Sequence, residues 1–310
     1  MTKPSPTAAH NPATLGFASA LGAFLIWGLV APVYFKQLGD IGAVEIVAHR
    51  VVWTVLLVGG LVLAIKGPAA ILRGVGGWRG FGVFAVTTAL ISTNWTVFIW
   101  AVTHGRMVES SLGYYINPMV NVVLGMVFLH ERLSRRQLGA VLIAGAGVLS
   151  LVLSYGSVPW VALTLALTFG VYALVRKKAA IDPIIGLVVE TALLVPLALA
   201  YLLWLNATGG GSFGVHGLGT DLLIMLSGPI TAVPLVLFMM GAARLKLSTI
   251  GLLQYISPTG QLMLGVLVYD EAFTSAHGIA FGCIWLALLL YSADAFTTHR
   301  AARAAAAAAD

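Results

Sequence analysis

Ten stretches of apolar sequence, each about as long as a bilayer is thick, follow one another along this 310-residue chain. A hydrocarbon core of about 30 Å takes roughly 20 residues of α-helix, so runs of about 17 to 25 residues bounded by charge or turn residues read as spans. They cover approximately residues 15–35, 44–65, 80–103, 109–129, 137–154, 158–175, 183–205, 220–240, 249–269 and 276–297. Only 9% of the residues are charged and the mean hydropathy is +0.97, whereas a water-soluble domain carries about 25% charge. A chain of this size still exposes about a quarter of its unfolded surface after folding, and so few charges cannot cover that surface in water. Lipid is the solvent for most of this chain, and the expected class is an all-α integral membrane protein.

The placement of Lys and Arg sets the orientation, because cytoplasmic loops retain positive charge. With the N-terminus inside, the inside segments hold Lys3; Lys66, Arg73 and Arg79; Arg132, Arg135 and Arg136; Arg176, Lys177 and Lys178; Arg244 and Lys246; and Arg300 and Arg303. The outside segments hold Lys36 and Arg106, and Arg50 falls within span two. The basic excess is thus a topology signal and implies no nucleic acid. Both termini are expected in the cytoplasm. Residues 1–14 read as a cytoplasmic N-terminal segment, residues 299–310 as an Ala-rich cytoplasmic tail, and span one as a retained helix, since no A-x-A-type cleavage site closes it. The lone Cys283 excludes an intramolecular disulfide.

Sliding the chain along itself by 140 residues aligns YYINPMVNVVLGMVFLHE (114–131) with QYISPTGQLMLGVLVYDE (254–271). Tyr115, Ile116, Pro118, Leu124, Gly125 and Glu131 recur identically as Tyr255, Ile256, Pro258, Leu264, Gly265 and Glu271, and Asn117 and Asn121 meet Ser257 and Gln261. Apolar bias alone does not select Pro, Gly and Glu. The matched segments are spans four and nine, so the repeat unit has five helices. An odd unit enters the membrane from opposite sides in its two copies, giving an inverted repeat over 15–155 and 156–298, the plan of many secondary transporters.

The segment from Asn94, NWTVFIWAVTHGRMVESSLGYYINPMVNVVLGMVFLHERLSRRQLGAVLIAGAGVLS, resembles the EamA-type repeat of the drug/metabolite transporter superfamily. With FLIWGLVAPVYFKQL in span one, EIVAHRVVW in span two, YALVRKK after span six and RLKLSTIGLLQYISPT before span nine, the chain is similar to the RarD branch of bacterial inner-membrane proteins from about residue 15 to 298. The second half departs from the first in having Asp270-Glu271-Ala272 where the first has His130-Glu131-Arg132. The resemblance implies a ten-helix carrier in the bacterial inner membrane with a solute site between its halves.

An ionisable group near the middle of a span costs at least about 2.5 kcal/mol unless it is paired or hydrated. By helical rise, His49 and Arg50 lie about 8 to 9 Å into span two and Glu190 about 10 to 12 Å into span seven. Arg50 or His49 suits an anionic group of a solute, and His49 or Glu190 is suited to exchanging a proton; a structural ion pair among them is the competing reading. Pro118 and Pro258 each withdraw a backbone N–H and are expected to kink or break their helices, as happens where backbone lines a polar cavity. Tyr114, Tyr115, Asn117, Asn121, Gln254, Tyr255, Ser257 and Gln261 surround those prolines, and Asn94 and Trp95 add an amide beside a ring in span three. Glu131 and Glu271 read as structural caps or loop partners.

The sequence contains no phosphate-binding loop, no HExxH, no Cys/His cluster and no GxSxG, so neither a cofactor nor a metal is implied. The expected function is secondary transport of a small amino-acid-like metabolite or a drug by alternating access, with protons as a candidate coupling partner. A membrane-embedded enzyme or lipid flippase and a channel-like facilitator are the other classes these residues fit. The topology is checked by fusing a reporter after Asn206: an external signal is expected, and a cytoplasmic one would contradict the alternation.

Overall fold

The computed structural model describes residues 12–130, 135–155, 158–179, 182–245 and 253–307. All regular structure among them is helical. Seven helices are long and apolar enough to cross a membrane: α1 (Thr14–Gln37), α2 (Ala43–Lys66), α3 (Gly77–Thr103), α4 (Met107–Leu129), α5 (Arg135–Tyr155), α7 (Pro183–Ala207) and α8 (Leu218–Ala242). Three more carry shorter apolar runs: α6 (Trp160–Ala179), α9 (Ile256–Val268) and α10 (Ser275–Ala307). Each falls on one of the ten apolar runs within a few residues, save at two ends. α9 starts at Ile256, after a turn at Gln254 and Tyr255. α10 continues through the alanine tail to Ala307, because alanine is the strongest helix former even without packing partners. Glu131, Arg132 and Lys246 lie outside the described residues.

The helices are apolar on all sides, as lipid-embedded helices are, so small residues mark the faces that pack. In α5, Leu138, Leu142, Leu149 and Leu153 point outward, while Ala140, Ala144 and Leu151 pack against Ala280, Ile284 and Ala287 of α10. A methyl on Gly147 would stand 2.6 Å from Cβ of Cys283, so this contact requires glycine. Gly28 does the same for α1 and α9: its added Cβ would stand 2.8 Å from Cα of Ser257. It sits in one of three widened π-helical turns (Ile26–Val30, Val55–Gly59 and Leu264–Val268).

Helix neighbours follow a pattern that maps onto itself when each helix is exchanged for the one five along. α1 packs on α8 and α9 as α6 packs on α3 and α4, while α2 meets α7, α4 meets α9 and α5 meets α10. Details repeat at the 140-residue offset. Tyr115 and Tyr255 stack on each other, centroids 6.1 Å apart and planes 14° apart. Asn117 donates to the Ala166 carbonyl of α6, and Ser257 donates to the Phe24 carbonyl of α1. His130 and Asp270 alone among the described non-glycine residues adopt positive φ, 53° and 51°, a left-handed conformation that His and Asp take more readily than most side chains.

Candidate functional site

The position 140 residues after Arg50 is Glu190, so the two halves place opposite charges at equivalent points of α2 and α7. Their surroundings correspond in part: Arg50 lies among side chains of α1 and α8, with Trp95 of α3 as well, and Glu190 among those of α6 and α3.

Glu190 is 1% exposed and fully engaged. Arg176 Nη1 donates to both carboxylate oxygens at 3.1 Å, and the Tyr172 hydroxyl donates to Oε2 at 3.1 Å. Arg176 Nη1 also reaches the Tyr172 hydroxyl at 2.6 Å, and Nη2 reaches the Asp182 carbonyl at 3.1 Å. The pairing of Glu190 with His49 or Arg50 that the sequence allowed is replaced by this network, because Arg176 turns inward from the end of α6 instead of joining the loop charges. A buried pair of this kind stabilises only while both members are present.

Arg50 is 9% exposed and has no carboxylate partner among the described residues. Its Nε donates to the Thr231 hydroxyl at 2.7 Å, its guanidinium carbon lies 4.0 Å from the Trp95 ring centroid and 5.7 Å from that of Phe35, and the Tyr34 and Tyr114 hydroxyls are within electrostatic reach. Its Nη atoms form no hydrogen bond to the described residues. Desolvating one ion costs several kcal/mol even after relaxation. A desolvated cation–π contact returns about 2 kcal/mol and a charge-assisted hydrogen bond about 1.5 to 3, so these neighbours offset part of the cost and leave the guanidinium fork free. That fork is matched to a carboxylate or phosphate. Ring contacts from Tyr34 to Phe35, Phe35 to Phe98 and Phe98 to Tyr114 enclose it. Two surface clefts, about 290 and 250 Å³, are lined by Thr96, Trp100 and Tyr201 and by Arg106, Glu109 and Glu271 respectively, and neither includes Arg50.

The other candidates separate into those near Arg50 and those that fasten helices. Trp95 and Tyr114 join Arg50. Asn94 donates to the Leu165 carbonyl and the Thr168 hydroxyl, both at 3.0 Å, tying α3 to α6. Asn121 donates to the Asn117 amide oxygen, completing the α4 to α6 link. Gln261 accepts from Ser110 at 3.4 Å, and Ser111 donates to the Pro258 carbonyl at 2.7 Å, tying α4 to α9. Tyr115 hydrogen-bonds Thr259 and packs on Phe281 and Trp285 of α10, on a different face of α4 from its neighbour Tyr114. Tyr255 follows it to that side through their stack, and Gln254 is exposed. His49 lies 3.9 Å from Glu45. The helical assignment runs unbroken through Pro118, while Pro258 occupies the first turn of α9, where no backbone donor is missed. Glu271 accepts from the Met107 and Val108 amides at 2.7 Å, and Glu109 from that of Val161 at 3.1 Å, each satisfying open donors at a helix N-terminus.

Sequence reading missed Tyr34, Phe35 and Thr231 around Arg50, and Tyr172 and Arg176 around Glu190. Only the charge of Arg176 offered a signal, and its place at a span end reads as topology.

A lipid-facing helical body with two opposite charges buried at equivalent depths defines a polytopic membrane protein with an interior polar site. The EamA-like transporter family model matches residues 14–153. A transporter of Vibrio cholerae, described as uncharacterised, is 44% identical over 290 residues, covering 94% of this chain and 96% of its own. A RarD protein of Streptomyces exfoliatus is 42% identical over 296 residues, covering 96% and 94%. A solved crystal structure shares the fold, with a TM-score of 0.57 at 19% identity over 90% of this chain and 97% of that one. The chain belongs to the EamA-like transporter family, in its RarD branch, and is a multi-pass transporter of the bacterial inner membrane.

Removing one member of the Glu190–Arg176 pair, by Glu190→Leu or Arg176→Met, is expected to lower unfolding free energy by about 3–5 kcal/mol. The double variant should recover most of that loss. Denaturation in mixed micelles measures both, and strictly additive losses would contradict the pairing.

Proposed function

We propose that this protein is a secondary carrier for a small metabolite bearing an anionic group, amino-acid-like in class, which binds to the guanidinium of Arg50 between the two halves. The observation that carries this reading is a buried cation with a free fork and no carboxylate partner among the described residues. An ionisable side chain inside a membrane protein normally pairs or marks a solute path, and here an anionic solute is the missing partner. Trp95, Phe35 and the Tyr34 and Tyr114 rings suit an apolar or aromatic body attached to that anion.

The self-mapping helix packing and the repeated Tyr115–Tyr255, Asn117–Ser257 and His130–Asp270 features support two inverted five-helix halves with both termini cytoplasmic. Alternating access follows from that plan, since one half can rock on the other around a fixed site. On the expected topology Glu190 and its partners Arg176 and Tyr172 are nearer the cytoplasmic ends of their helices than Arg50 is, which suits that network to closing the cytoplasmic side. Within this reading His49, 3.9 Å from Glu45, and Glu190, hydrogen-bonded by Arg176 and Tyr172, are the two proton-exchange candidates.

A thermal-shift screen of purified protein against amino acids, small carboxylates and phosphorylated metabolites tests the site. A ligand at a hundred times its Kd stabilises by about 2.7 kcal/mol. Stabilisation by anionic compounds is expected in the natural protein, reduced in Arg50→Lys and absent in Arg50→Gln. Equal stabilisation of Arg50→Gln by the same compounds would overturn the assignment.

A further inference from the structure

The connection between α7 and α8, residues 208–217, does not stand away from the membrane body but folds down onto α2. Glu45 of α2 holds it there, and Asp221 in the first turn of α8 fixes its curl. Glu45, 3% exposed, accepts from the Ser212 amide at 2.7 Å and from its hydroxyl at 3.0 Å, and Asp221 accepts from the Gly214 amide at 2.7 Å. Between these latches the Phe213 ring lies on His49 (centroids 5.4 Å apart) and Trp53 (6.1 Å). Glu45, His49 and Trp53 are successive turns of one stripe of α2. Gly209, Gly214 and Gly217 carry φ of 75°, 80° and 91°, so the segment is shaped by residues that adopt such angles without strain.

What lies beneath Phe213 is polar. His49 Nε2 and Trp53 Nε1 are both buried without a hydrogen-bond partner, and a buried group left unpaired opposes the state that buries it. Two hydrogen bonds to Glu45 hold the segment down while two unsatisfied nitrogens favour lifting it, which makes a two-position element. The covered patch adjoins the solute site. Arg50 is next to His49 in sequence and one turn from Trp53, and Gly228 of α8 presses on the Trp53 carbonyl, where an added Cβ would stand 2.8 Å away, one turn before Thr231.

We propose that residues 208–217 form a latched lid over the external approach to Arg50, with Phe213 as its plug, and that lifting it gives water and solute their way to His49, Trp53 and then Arg50. The lid rests on the carrier reading for its purpose, but its opening is measurable without any solute. In a Cys283→Ser background, His49→Cys in right-side-out vesicles is treated with a membrane-impermeant thiol reagent, with Thr208→Cys as the exposed reference. His49→Cys is expected to react far more slowly than Thr208→Cys. Adding Glu45→Ala should raise its rate about tenfold or more, since loss of even one of its two charge-assisted hydrogen bonds corresponds to about that factor, and Phe213→Ala should raise it measurably too. Either variant suffices if the other fails to give monodisperse protein. An unchanged rate in a well-folded lid variant, a His49→Cys rate already equal to that of Thr208→Cys, or labelling only in inside-out vesicles would overturn the lid. None of these results depends on whether Arg50 binds an anion.

Discussion

Inside a bilayer there is no water to complete a hydrogen bond, and nearly every buried polar side chain of this protein is placed by that constraint. Asn94, Asn117, Ser111 and Ser257 each donate to a main-chain carbonyl of a neighbouring helix, fastening α3 and α4 to α6 and α9 to α4 and α1. Glu109 and Glu271 answer the open amides of helix starts. Glu190 is held by Arg176 and Tyr172. Against this background the unshared fork of Arg50 stands out as a charge, the other exceptions among the described residues being neutral atoms of His49, Trp53, Thr54 and Thr88.

Arg50 of α2 and Glu190 of α7 stand 140 residues apart, at matching positions of the sequence repeat, with neighbours from α1, α3 and α8 around Arg50 and from α6 around Glu190. In the second half that position is an acid supplied with its own base. In the first half it is a base supplied with rings and a hydroxyl. Glu190 is thus tied by an ion pair of the chain's own, while the Arg50 fork, on the proposal above, takes its partner from a solute.

Much of the fold was legible because bilayer thickness fixes helix length: the ends of α2, α3, α4 and α7 lie within about three residues of the apolar runs. The start of α9 was not, since the residues before Ile256 are as apolar as the helix itself and only the turn at Gln254 and Tyr255 separates them. The site was legible in part. Arg50, Trp95 and Tyr114 announce themselves as a charge and rings in apolar surroundings, but Thr231 and Tyr34 become partners only through helix packing across long sequence separations. Tyr115 and Tyr255 were visible as a repeat, yet the 100° turn between adjacent helix positions sends Tyr115 toward α10, with Tyr255 stacked on it, and leaves Tyr114 near Arg50. Arg176 misled for a physical reason: a basic residue at a span end usually marks a cytoplasmic loop, and here the same charge bends inward to meet Glu190.

The proposed role of Arg50 in holding a transported anion is measured most directly by counterflow in sealed vesicles. With an anionic solute that stabilises the purified protein, vesicles loaded with unlabelled solute should accumulate the labelled form saturably. The Arg50→Gln protein, reconstituted to the same density and folded, should accumulate none. Undiminished counterflow through Arg50→Gln would contradict the central claim.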